Sequence, residues 1–79
     1  MKVRKNIAIS DSGFLFNPST GDSYSVNPIG QEIIQLLEDE KTEEQIMEFI
    51  LDNYMIDKTT VEKDLYDFLN MLKNYKLTE

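Results

Sequence analysis

Seventy-nine residues, 41% of them apolar, are enough for one small domain around a single core. The chain has neither cysteine nor histidine, which removes disulfides, a thiol nucleophile, the commonest general base and the commonest metal ligands together. The net charge of −7 is unevenly spread: residues 1–27 carry three basic and two acidic side chains, whereas residues 28–79 carry five and thirteen.

Val3 to Ile9, with Val3, Ile7 and Ile9 in a β-leaning context, reads as a first strand. Asp11-Ser12-Gly13 is a turn signal. Gly13 to Asn17 reads as a second strand, with Phe14 and Phe16 on one face, taken as buried. Asn17-Pro18-Ser19-Thr20-Gly21-Asp22 is a hairpin-loop cluster, and Ser23 to Val26 a third strand with Tyr24 and Val26 on one face. Short connections favour an antiparallel meander.

Asn27 is a strong N-cap and Pro28 suits the first helical position, so a helix starts there and runs to about Glu38. Ile29, Ile33, Leu36 and Leu37 line one face of it. Gly30, in the first turn, suggests a close approach to another backbone. Thr42 with Gln45 forms a capping box for a second helix, Glu43 to about Asn53. Asp57 can cap a third, with Thr59 and Glu62 as an alternative box. Val61, Leu65, Phe68, Leu69 and Leu72 give that helix its stripe, which ends near Asn74 or Tyr75, with Leu77 tucking back onto the core. Strands first and helices after them imply a single α+β domain spanning 1–79, winged-helix-like, with an N-terminal three-stranded antiparallel sheet followed by three helices.

The third helix exposes Glu62, Asp64 and Asp67, where a DNA-reading helix needs Arg, Lys, Asn or Gln, so nucleic acid is not an expected partner. Pairs such as Asp64 with Asp67 and Glu44 with Glu48 read as solvated surface, not a metal site, and the four Phe read as core. No apolar run reaches bilayer length, and Met1 to Lys5 carries charge with no apolar stretch behind it. A cytoplasmic protein without signal, membrane span, metal or cofactor is therefore expected. Carboxylates alone could support glycosidase-type chemistry, but a chain this small has little room for a substrate pocket beside its core, so an enzyme is not expected.

A third strand that passes directly into a helix can be left at a sheet edge, where unpaired backbone groups accept an extended peptide. The negative charge beside it is either plain solvation or a groove for a peptide bearing Lys or Arg. The same edge could pair with a second copy, giving a homodimer through Ser23–Val26.

With these elements in place, the chain resembles the PqqD-like family, the recognition elements that bind precursor peptides in ribosomal peptide-modification pathways. The resemblance lies in NPSTGDSYSVNPIGQEIIQLL (Asn17 to Leu37), in Tyr54 and Asp57, and in VEKDLYDFLNMLKNYKL (Val61 to Leu77). It implies a non-catalytic module that takes the leader segment of a precursor as an added strand between the third strand and third helix. The module then presents the precursor to a modifying enzyme, a radical-SAM protein or a leader peptidase, in pathways such as quinone-cofactor or lasso-peptide biosynthesis. By position the implied peptide contacts are Ser23, Tyr24, Ser25, Val26, Asp64, Leu65, Phe68, Met71 and Leu72. Two departures stand out: Lys76 where Gly is frequent, and a lone Tyr24 where a Tyr pair is common. Neither is expected to bear on the fold. The alternative is a structural or regulatory docking subunit that never touches the peptide.

Overall fold

The computed structural model describes residues 2–79. Three antiparallel strands, β1 (Ala8–Ile9), β2 (Phe14–Asn17) and β3 (Asp22–Ser25), form a sheet of order β1-β2-β3. Three helices follow: α1 (Pro28–Glu38), α2 (Glu43–Asn53) and α3 (Lys58–Asn74). This is the α+β architecture expected, compatible with a winged-helix-like arrangement.

Each helix begins where a side-chain oxygen takes up an orphan amide. Asn27 Oδ1 accepts from the Gly30 N–H at 2.8 Å, and Pro28 occupies the first helical position. Thr42 and Gln45 close the expected capping box. At α3 the Asp57 carboxylate accepts from both the N–H and the hydroxyl of Thr60, so the alternative box at Thr59 is not used.

Helices α1 and α3 end alike. After α3 the Leu77 N–H donates to Leu72 O and the Lys76 N–H to Lys73 O, with Lys76 left-handed at φ 58°. That is a Schellman motif, sealed by contact between the buried Leu77 and Leu72. Lys76 holds the position that favours glycine, so the departure noted in the sequence carries a local backbone cost. Glu40 does the same after α1, at φ 62°.

Three expectations need correction. The first strand does not run from Val3: a turn at residues 5–6 breaks it, and only Ala8–Ile9 pairs with β2. Val3 instead bridges Thr78, while the Arg4 N–H donates to Leu77 O at 2.9 Å, so the two ends of the chain clasp each other. Second, Phe14 and Phe16 face outward, 55% and 43% exposed, while Leu15 and Asn17 point to the core. The alternation was real but of opposite phase. Leu15 fills the tight layer above the helices, and the Asn17 side chain is drawn in to accept the Ser19 N–H at 3.0 Å in the turn. Third, what approaches Gly30 is a side chain, not a backbone: a Cβ there would lie 2.9 Å from the Phe68 ring.

The core lies between the inner sheet face and the helices, with Leu15, Ile34, Leu37, Ile46, Leu72 and Leu77 almost wholly buried. Gly13 allows the sheet to close: its φ is +88°, and a Cβ would meet the Val26 carbonyl oxygen at 2.8 Å.

Candidate peptide-binding groove

The register of the hairpin decides which backbone groups are free. The Val26 N–H donates to Gly13 O at 2.8 Å, on the β2 side of the sheet. In an antiparallel ladder such pairs alternate, so Tyr24 turns its backbone groups toward Leu15, its partner. Ser23 and Ser25 must then turn theirs outward. The other side of β2 agrees, since the Ser10 N–H donates to Phe14 O toward β1. Strand β3 is an edge, and among the described residues no turn, helix or tail takes up the outward groups of Ser23 and Ser25. The C-terminal tail pairs with the segment ahead of β1, at the other edge of the sheet.

Beyond the end of β3 lies a groove of about 360 Å³ between the start of α1 and one side of α3. Ile29, Gly30 and Ile33 line it from α1, Ile50 and Ile56 from α2 and its following loop, and Phe68 and Met71 from α3. Gly30 lets the Cε1 and Cζ atoms of the Phe68 ring come close against the first turn of α1, which shapes the apolar wall. Asp64 and Asp67 sit in the lining, which holds no basic residue, so the groove is apolar with a negative rim. Tyr54, just ahead of the α2–α3 loop, is tied back to α1 by its hydroxyl, which donates to Glu32 Oε2 at 2.6 Å. That hydrogen bond, then burial, raise its pKa.

Of the residues implied by resemblance, Asp64, Leu65, Phe68 and Met71 line this groove together. Tyr24 and Val26 are half-buried on the core side of β3, and Ser23 and Ser25 lie at the open edge. Leu72 is 1% exposed and belongs to the core beneath.

Sequence reasoning did not reach Ile29, Ile33, Ile50 and Ile56 as lining residues, nor Tyr75. The first three stand in helical stripes and read as core. Ile56 carried a usable signal, an apolar residue in a short loop beside Met55, which is fully exposed. Tyr75 stacks on Tyr24, centroids 4.5 Å apart and planes 17° from parallel. Burial in this stack and then the Asp22 carboxylate push the Tyr24 hydroxyl above its ordinary pKa.

A second surface lies on the outer face of the sheet, where Phe14 and Phe16 stand exposed beside Ser25 and Ser23, their cross-strand partners. Among the described residues no cluster of acidic side chains is placed to hold a metal ion, and no helix is long and apolar enough to cross a membrane.

The family model for coenzyme PQQ synthesis protein D (PqqD) matches residues 13–77. A solved structure, "TbiB1 in Complex with the TbiA(beta) Leader Peptide", is 36% identical with a TM-score of 0.90, over 100% of this chain and 95% of that one. A second, "Lasso peptide synthetase B1 complexed with the leader peptide", is 23% identical with a TM-score of 0.83, over 94% of this chain and 91% of that one, and bears on the fold alone. No curated protein sequence matches significantly.

Proposed function

Because the chain belongs to the PqqD family, we propose that it is a single recognition domain that binds the leader segment of a ribosomally made precursor peptide and presents it to a modifying enzyme. The observation that carries this reading is the free β3 edge continuing into an apolar groove. A guest strand gains backbone hydrogen bonds at Ser23 and Ser25, each worth about 1 kcal/mol net. Its apolar side chains then fill the pocket framed by Ile29, Phe68 and Met71. A Lys or Arg on the guest is favoured by Asp64 and Asp67 at the rim. The domain has no catalytic role of its own and works in the cytoplasm, where precursors are made. The 36%-identical relative in complex with a leader peptide supports the same assignment.

The exposed Phe14 and Phe16 favour a second reading, docking onto a larger enzyme without contact to its substrate. The two are separable by calorimetric titration and amide chemical shifts. The probes are the TbiA(beta) leader and synthetic leader peptides from neighbouring open reading frames. Leader binding moves Ser23–Val26 and the groove side of α3. A folded domain that binds neither leader, yet shows shifts at Phe14 and Phe16 with the enzyme alone, overturns the leader reading.

A further inference from the structure

We infer that Tyr75 acts as a size filter, admitting only a small residue (Gly, Ala or Ser) at the guest position opposite Tyr24. The inference rests on strand addition at β3 and names the residue that sets the guest's register. Ser23 and Ser25 turn their hydrogen-bonding groups outward, so an added antiparallel strand makes its bonded pairs with them. Its residue opposite Tyr24 is then in a non-bonded pair, the kind in which facing side chains come closest, with Cβ atoms about 4.5–5.5 Å apart. That residue points inward, toward the helices, as Tyr24 does.

The filter requires that the space this side chain needs be held by Tyr75, which stacks on Tyr24. Leu15, 2% exposed, flanks Tyr24 on the β2 side, and the filter places the ring of Tyr75, itself 45% exposed and stacked on Tyr24, on the opposite, open side. The two ring centroids are 4.5 Å apart with the planes 17° from parallel, so no side chain fits between them. The Schellman turn that anchors Leu77 fixes the Tyr75 backbone, and swinging the ring away gives up its stack on Tyr24. Two residues along the guest, roughly 6.8 Å away, the next inward side chain falls toward Val26 and the groove beyond it, where large groups fit. A guest in the wrong register brings a bulky side chain onto Tyr75. The filter therefore selects both composition and alignment.

The test is selection of a displayed random peptide library on the intact wild-type domain, Tyr75→Ala and Tyr75→Phe. The position opposite Tyr24 is located by nuclear Overhauser contacts to the amides of Ser23 and Ser25. The wild-type and Tyr75→Phe pools should be confined to Gly, Ala and Ser there, and the Tyr75→Ala pool should admit Leu and Phe. For one selected peptide, exchanging Ala for Leu at that position should weaken binding to the wild type about tenfold and to Tyr75→Ala less than about twofold. A wild-type pool indifferent to size at that position overturns the inference alone, and decides the matter even if Tyr75→Ala does not fold. Failure to select any peptide removes the strand-binding reading, and this inference with it.

Discussion

The two faces of the β2–β3 hairpin both carry large apolar side chains, yet only one is covered. The inner face, with Leu15, Tyr24 and Val26, lies against the helices, whereas the outer face shows Phe14 and Phe16 to solvent. On β2, large aromatics outside and a mid-sized aliphatic inside invert the usual assignment. Burial here follows the space available above α1 and α3, not side-chain hydrophobicity. Apolar surface left uncovered on so small a domain is available for a partner.

The sharpest way to break that contrast is to truncate one residue from each face. Leu15→Ala leaves a cavity in the inner layer and should cost about 2–5 kcal/mol, a large share of the stability of a domain this size. The double variant Phe14→Ser with Phe16→Ser should change stability by less than about 1 kcal/mol, because both rings are already wetted. Urea denaturation followed by circular dichroism measures both. Equal losses would mean that the outer face is structural.

Next in size is Gly30→Ala. Alanine is intrinsically the better helix former by about 1 kcal/mol, but its Cβ would press the Phe68 ring, so stability should hardly move. The groove wall moves instead. Leader binding should weaken roughly three- to tenfold, about 0.6–1.4 kcal/mol, by calorimetry. An unchanged affinity would show that Phe68 is no part of the guest's pocket.

A smaller effect, of opposite sign, is expected at Lys76. Its left-handed backbone suits glycine, so Lys76→Gly should stabilise by about 0.5–1 kcal/mol in thermal unfolding. Both faces of the hairpin should be unaffected, because the substitution relieves the turn after α3 and not the sheet.

What could be read from the sequence divides by range. The caps at Asn27, Thr42 and Asp57 form within three residues, and each appears as expected. So do the helix ends and the inward turn of Leu77, because a Schellman motif is local. The clasp of Val3 on Thr78 joins opposite ends of the chain, and nothing near Val3 signals it. Strand phase failed for a related reason. Alternation shows that β2 has two faces, but only the packing of α1 and α3 decides which is covered. At the groove, Phe68 came through family resemblance, while the stack of Tyr75 on Tyr24 depends on how the turn after α3 brings two distant parts of the chain together.

The smallest expected effect concerns the cap of α3, and it separates groove from core. The side-chain hydrogen bond from Thr60, then the Thr60 amide, hold the Asp57 carboxyl below its ordinary pKa. The folded chain therefore binds this proton less tightly than the unfolded chain. The resulting stability is complete above the ordinary carboxylate value, about pH 4, and is lost as pH falls through the depressed folded value. Asp57→Asn keeps a capping oxygen but cannot titrate, so its first turn should respond less to acid. Hydrogen exchange at Thr60 and Val61, compared between pH 5 and pH 3, should accelerate more in the wild type than in Asp57→Asn after correction for intrinsic rates. Exchange at Leu15, behind the covered face, should not distinguish the two proteins. If Leu15 follows Thr60, the start of α3 and the sheet unfold as one unit, and the groove has no local opening of its own.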